Sequence, residues 1–301
     1  MRHLLSIQSL RAPGIETILG LAAQMKRTRT CDPAVPLSGQ CWALMFAKSS
    51  TRTRVSFEVG IRELGGSVMF LAADDIQLGR GEPIRDTARV MGRMLAGAVI
   101  RTFAQSDVED FAEASGIPTV NALTDEEHPC QILSDLFTLK ESGVELSTLN
   151  LAFVGDGDCN VARSWIWAAA RLGFRLRIAA PDKFLPPPGL LEAAGGNISV
   201  HHDPREAVSG ADAIYTDVWV SMGKEGETAF RTAQFAGYQV DDALTALAPQ
   251  ALVMHCLPAY RDKEIAASTF EAHAETIFRQ AENRLHTQKA ILAILAAAGS
   301  A

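Results

Sequence analysis

Residues 48–54 read KSSTRTR and follow the apolar run ALMFA. Hydroxyls at Ser50, Thr51 and Thr53 alternate with guanidiniums at Arg52 and Arg54. A strand that ends where a helix begins leaves backbone N–H groups pointing outward, and the helix dipole draws an anion to them. Ser50 and Thr51 add hydroxyl donors, and an arginine such as Arg52 can grip a phosphate through two parallel hydrogen bonds. A hydroxyl cap followed by solvated arginines would give a similar stretch. So many donors directly after a buried strand favour the anion site. Arg54 is left open between touching the anion and bracing the loop.

Other stretches carry matching chemistry. IRTF places Arg101 at the end of a second apolar strand, HPCQ places His128 and Gln131 at a helix start, and DIQLGRGEP is a polar glycine-rich loop holding Gln77. In an open α/β sheet, groups at the C-terminal ends of neighbouring strands converge on one crevice. Arg52, Arg101 and His128 are therefore expected to meet, in a set that suits a carbonyl oxygen as well as a phosphate. Taken singly, His128 fits a capping or core histidine and Arg101 fits half of a buried ion pair. The second half of the chain offers different groups. GDGDCN is a weak dinucleotide fingerprint, with Asn160 in place of its third glycine. DVWVSMG puts Asp217 at a strand end and Ser221, Met222 and Gly223 in a turn. That arrangement suits the ammonium of an amino acid, and an ordinary turn acid fits it equally well. HCLP puts Cys256 after an apolar run, where a buried structural thiol is the default.

The elements that must position these groups are legible in outline. CWALMFA, SVMFLA, AGAVIRTF and PTVNAL predict strands, the wholly apolar ones being of the kind buried on both faces of a parallel sheet. Phe57, Ile61 and Leu64 recur at i, i+4 and i+7 on one helix face, and Gly65–Gly66 stops that helix. A long helix is expected from Pro129 through CQILSDLFTLKESG. LNLAFVGDG, FRLRIAAP, ADAIYTDVW and ALVMHCL predict further strands, and VARSWIWAAARLG a helix. Two such halves imply two doubly wound α/β domains with the active site in the cleft between them. The expected boundaries are 1–142 and 143–277, with an amphipathic C-terminal helix at 278–301 packing back on the first half.

Bulk properties narrow the function. The 301 residues are 48% apolar and 21% charged, with a net charge of −7. That is ordinary for a soluble two-domain protein and argues against nucleic acid as a partner. The five cysteines show no CxxC pair, so reduced thiols in a cytoplasmic protein are expected rather than disulfides or structural zinc. The N-terminus is a poor signal peptide, and no apolar run reaches the roughly 18 residues of a membrane span.

Taken in order, these motifs resemble the aspartate/ornithine carbamoyltransferase family over nearly the whole chain. STRTR and HPxQ mark the family, and SMG with HCLP marks its ornithine branch. The resemblance implies that Ser50, Thr51, Arg52, Thr53, Arg101, His128, Gln131 and Arg284 bind carbamoyl phosphate. It implies that Gln77 reaches the site of a neighbouring subunit in a homotrimer. Asn160, Asp217, Ser221 and Met222 would hold L-ornithine, with Cys256 and Leu257 between the two substrates. Arg52, Arg101, His128 and Cys256 are the implied catalytic groups. Phosphate can leave and accept the proton itself, so neither a metal nor an organic cofactor is called for.

The chain also departs from the family pattern. Ala47 replaces a frequent acidic residue, Cys159 stands beside Asn160 where an NN pair is common, and Arg163 and Tyr260 replace frequent histidines. Cys159 and Arg163 leave room for a related amine such as putrescine or an acylated ornithine, which SMG disfavours. An NAD-dependent dehydrogenase and a non-catalytic anion-binding module are the rivals from other classes.

Overall fold

The computed structural model describes residues 1–29, 31, 34–72, 81–221 and 223–299. It divides into two compact units, Met1–Phe137 with Glu282–Ala301, and Thr138–Ala281. In the first unit the chain runs α1 (Ala12–Arg27), β1 (Cys41–Phe46), α2 (Thr51–Glu63), β2 (Ser67–Ala72), α3 (Ile84–Met91), β3 (Gly97–Arg101), α4 (Gln105–Ser115) and β4 (Thr119–Leu123). The helix α5 (Pro129–Glu141) carries the chain into the second unit. There follow β5 (Asn150–Val154), α6 (Asn160–Leu172), β6 (Arg175–Ala179), α7 (Pro188–Ala194), β7 (Ile198–His201), α8 (Pro204–Val208) and β8 (Ala213–Thr216). After α9 (Thr228–Gln234), α10 (Asp242–Thr245), β9 (Leu252–His255) and α11 (Ala267–Ala272), the long α12 (Ala274–Gly299) returns the chain to the first unit.

Both sheets are parallel, with orders β2-β1-β3-β4 and β7-β6-β5-β8-β9. The inner strands β1 and β3 are almost wholly buried, as apolar strands covered on both faces must be. Gly97 starts β3 because a Cβ there would stand 2.5 Å from the Trp42 ring. The predicted face of α2 is inside, with Phe57, Ile61 and Leu64 all at or below 1% exposure. In each sheet the winding direction reverses once, between β1 and β3 and between β5 and β8. Ligands of doubly wound folds bind outside the strand ends at such switch points. The segments after β1 and β3 are KSSTRTR and Thr102–Phe103, and those after β5 and β8 are GDGDCN and DVWVSMG.

One strand escaped the sequence reading, and one expectation needs correction. The strand β7, ISVH, is too short and too polar to stand out in the sequence. The C-terminal helix is not amphipathic in the usual sense, because every residue from 283 to 293 is buried. Polar side chains of that stretch find partners inside the first unit: Lys26 Nζ donates to Asn283 Oδ1 at 2.8 Å, and Lys289 Nζ donates to Glu63 Oε2 at 2.7 Å. Among the described residues, no helix is long and apolar enough to cross a membrane.

Candidate active site

In the first unit, KSSTRTR forms the turn from β1 into α2. Ser50 is the N-cap, extended at φ −163°, and its Oγ accepts the Thr53 N–H at 3.3 Å. Such a cap is worth about 1 kcal/mol to the helix. Thr51 and Arg52 are exposed on the first turn, while Thr53 is buried. Arg54 braces: its guanidinium lies 3.7 Å from the centroid of the Phe70 ring and pairs with Glu58 at 3.5 Å. Lys48, part of the quoted stretch but given no role above, is buried and paired with Asp125, and its Nζ stands 4.2 Å from the centroid of the Phe103 ring.

Behind that turn lies a cluster drawn from three elements. Arg284 of α12 donates from Nη1 to Gln131 Oε1 and from Nη2 to Thr53 Oγ1, both at 2.9 Å. Gln131 Nε2 donates onward to Asp135 Oδ1 at 2.8 Å. Arg101, His128 and Arg284 are each 5% exposed. Burial, then the charges of Arg284 and Arg101, hold the His128 imidazole well below its ordinary value of 6.5. A neutral imidazole between two fixed cations can hydrogen-bond a carbonyl oxygen without adding a third positive charge. Cys130, two residues after His128, is pushed up to about 12 by burial and donates its thiol to Asn121 O, so it is an inert packing group.

In the second unit, Asp217 follows β8 and Cys256 follows β9, its neighbour in the sheet. The Cys256 thiol donates to Asp217 Oδ1 at 2.9 Å, and the Val218 N–H donates to the same oxygen at 2.7 Å. Burial raises the Asp217 carboxyl above its ordinary 3.8, opposed by His255 and by these two donors. Leu257 sits at φ +59°, with its N–H given to His255 Nδ1 at 2.9 Å. His255 Nε2 meets Glu264 Oε1 at 3.2 Å, and Glu264 also takes the Tyr260 N–H. His255 and Glu264, at 1% and 0% exposure, thus shape the HCLPAY turn. Sequence reasoning passed over both, although the histidine opening HCLP was a signal for one.

Asn160 is the first residue of α6 and half-buried, and Cys159 caps that helix by accepting the Ala162 N–H at 3.4 Å. Burial, with Asp217 and Asp156, pushes the Cys159 thiol well up. Gly157 lets this turn close, since a Cβ would stand 2.8 Å from Pro186 Cδ. Arg163 pairs with Asp158 at 2.7 Å. Ser221 is half-buried in the turn after β8. Gln77 and Met222 lie outside the described residues.

Among the described residues, Asp217, His255 and Cys256 bring three potential metal-ligand atoms within 4.8 Å of one another. Thiol and carboxylate are bonded to each other, and both imidazole nitrogens are engaged, so a cation would have to displace those contacts.

The chain also matches two family models. Residues 2–141 match the carbamoyl-P binding domain of aspartate/ornithine carbamoyltransferase, and residues 147–295 its Asp/Orn binding domain. The chain belongs to the aspartate/ornithine carbamoyltransferase family. Similar family members include an ornithine carbamoyltransferase of Akkermansia muciniphila, 55% identical over 300 residues and 98% of each chain. One of Campylobacter fetus is 48% identical over 301 residues and 97% of each chain. Among solved structures, the anabolic ornithine carbamoyltransferase of Campylobacter jejuni superimposes with a TM-score of 0.93 at 39% identity, covering 98% of this chain and 99% of that one. The ornithine carbamoyltransferase of Pyrococcus furiosus gives 0.92 at 40% identity, covering 98% and 97%. Against this family background, the strand-end groups of the first unit fall within the carbamoyl-P model, and those of the second within the Asp/Orn model.

Proposed function

We propose that this chain transfers the carbamoyl group of carbamoyl phosphate to the side-chain amine of L-ornithine, giving L-citrulline and phosphate in arginine biosynthesis. The observation that carries it is the buried Arg101, His128 and Arg284 group behind the capped start of α2, in a chain 55% identical to an ornithine carbamoyltransferase. In this assignment the first unit takes carbamoyl phosphate and the second takes ornithine.

Ser50, Thr51, Arg52 and Thr53 hold the phosphate, with Arg52 as the forked donor. Arg101, His128, Gln131 and Arg284 bind the carbonyl and phosphate oxygens. Ornithine's amine lone pair attacks the carbamoyl carbon, and the carbonyl oxygen becomes an oxyanion. Preorganised donors favour that charge, one such donor typically contributing about 3 kcal/mol. The C–O bond to phosphate then breaks, and phosphate leaves with the electron pair and takes the proton from nitrogen. The amine must be neutral to attack, although a free alkylamine has a pKa of about 10.4. Asp217 and Cys256 orient the incoming amino acid, Asn160, Ser221 and Met222 complete its contacts, and Cys256 and Leu257 also contact carbamoyl phosphate.

The same reading makes the protein a cytoplasmic homotrimer, with Gln77 serving the carbamoyl phosphate of a neighbouring subunit. Light scattering that gave a mass other than three chains would remove the Gln77 assignment. The deciding assay supplies carbamoyl phosphate with ornithine, putrescine, lysine or acetylornithine and measures the carbamoylated product. Citrulline formation well above the others is expected. Preference for another amine would transfer the assignment to a paralogous activity and point to Cys159 and Arg163 as its cause.

A further inference from the structure

The residues before α1 carry none of the chemistry described so far, yet Leu4 and Ile7 are fully buried and Leu10 is 7% exposed. They run along the outer edge of β4. Leu4 N–H donates to Thr119 O at 2.9 Å, and Asn121 N–H donates to Leu4 O at 2.7 Å. Past that bridge, side chains take over. Asn121 Nδ2 donates to Leu5 O at 2.9 Å, and Gln105 Nε2 donates to the same oxygen at 3.2 Å. The Ile7 N–H then donates to Glu127 Oε2 at 2.6 Å, and the Gln8 N–H to Glu127 Oε1 at 3.4 Å.

Glu127 is 4% exposed. A carboxylate removed from water needs donors in place of its hydration, and the N-terminal segment supplies backbone ones. The backbone of Glu127 is held as well. Its carbonyl accepts the Thr124 N–H at 2.9 Å, and its N–H donates to Thr124 Oγ1 at 3.1 Å. Thr124 Oγ1 in turn donates to Gln105 Oε1 at 2.8 Å. The turn Thr124–Glu127 is thus gripped by the N-terminal segment through Glu127 and by Lys48 through Asp125. The next residue in the chain is His128.

We infer that Glu127 is a positioning residue: by holding the N-terminal segment, it fixes the turn from which His128 and Gln131 reach carbamoyl phosphate. This rests on the proposed function. It acts through the backbone, so replacing Glu127 disturbs carbamoyl phosphate and not ornithine. A glutamine side chain in its place would keep an oxygen for the Ile7 N–H, whereas alanine keeps none and aspartate falls one methylene short.

The test compares Glu127→Ala, Glu127→Asp and Glu127→Gln with the unaltered protein, measuring KM for each substrate, kcat and the melting temperature. Glu127→Ala should raise the carbamoyl phosphate KM roughly tenfold, the scale of a buried donor left unpaired, with the ornithine KM within about twofold. Glu127→Gln should restore the carbamoyl phosphate KM to within about threefold of the unaltered protein. If Glu127→Ala does not fold, Glu127→Asp should exceed Glu127→Gln in carbamoyl phosphate KM. Equal effects of Asp and Gln, equal effects on both substrates, or a lowered melting temperature with unchanged KM values would overturn the inference alone. An unaltered protein that makes no citrulline would overturn the proposed function and this inference with it.

Discussion

Cys256 Sγ donates to Asp217 Oδ1 across 2.9 Å, joining the residues that follow two neighbouring strands, β8 and β9. The bond favours the ionised carboxylate, whereas burial, the larger influence, favours the acid. The charge of Asp217 therefore depends on its neighbours. Removing the thiol should let burial raise the Asp217 carboxyl further. In Cys256→Ala the acidic limb of the kcat/KM profile for ornithine should move to higher pH. Its plateau should fall about tenfold, the effect of losing one charge-assisted hydrogen bond. Cys256→Ser keeps a donor and should shift less. An unchanged profile in Cys256→Ala would remove Cys256 from the proposed chemistry.

The proposed division of labour between the units predicts a division of phenotypes. Arg52 is exposed on the first turn of α2, so Arg52→Ala leaves the core intact. Carbamoyl phosphate use should fall by at least about a hundredfold, as expected when a donor to transition-state charge is lost. Asp217→Asn should raise the ornithine KM and leave the carbamoyl phosphate KM near its starting value. Initial-rate kinetics with each substrate varied in turn separate the two. Swapped phenotypes would reverse the assignment of substrates to units.

His128 yields a stability prediction with a definite sign. Its native pKa lies well below the ordinary 6.5, so in that window the unfolded chain binds more protons than the native one. Its contribution is fully present above pH 6.5 and is lost as pH falls toward the lowered native value. His3, His273 and His286 are also lowered, burial being the first cause in each, and they act in the same direction. Melting temperature should therefore decline on acidification below pH 6.5. His128→Gln, which does not titrate, should make that decline shallower, and an unchanged slope would mean that His128 is charged in the native protein.

What the sequence revealed follows the range of the interactions. The strands β1, β3, β5 and β8 are apolar runs next to polar motifs, so local pattern was enough to find them and the groups at their ends. Arg54 could not be resolved locally, because its partner Phe70 belongs to another strand. Lys48 with Asp125 and Ile7 with Glu127 join positions 77 and 120 residues apart, and neither side of either pair has a local signature. The C-terminal helix misleads for a related reason. Arg284 and Lys289 help spell a polar face, and only tertiary pairing with Thr53, Gln131 and Glu63 shows that it is inside.

Arg231 supports the turn that follows Asp217. It is 5% exposed, and Asp156, in the glycine turn after β5, is 4% exposed. Arg231 Nη1 donates to Asp156 Oδ2 at 2.8 Å and to Trp219 O at 3.1 Å, while its Nε donates to Glu227 Oε2 at 2.8 Å. The pair thus ties GDGDCN to the DVWVSMG segment. Burial already raises the Asp156 carboxyl, with Arg231 opposing it. Arg231→Met leaves that acid buried without its cation, which should cost about 3–5 kcal/mol. Asp156→Asn strands the arginine and should also destabilise, though less, because Glu227 remains. In the double variant no buried charge faces an apolar wall, so its loss should be smaller than the sum of the single losses. Ornithine KM should rise in each single variant and carbamoyl phosphate KM should not, because the tie lies wholly in the second unit. Denaturant unfolding of the four proteins of this cycle, with substrate kinetics on those that fold, measures both effects. Strictly additive losses would show that the two side chains act on stability independently of each other.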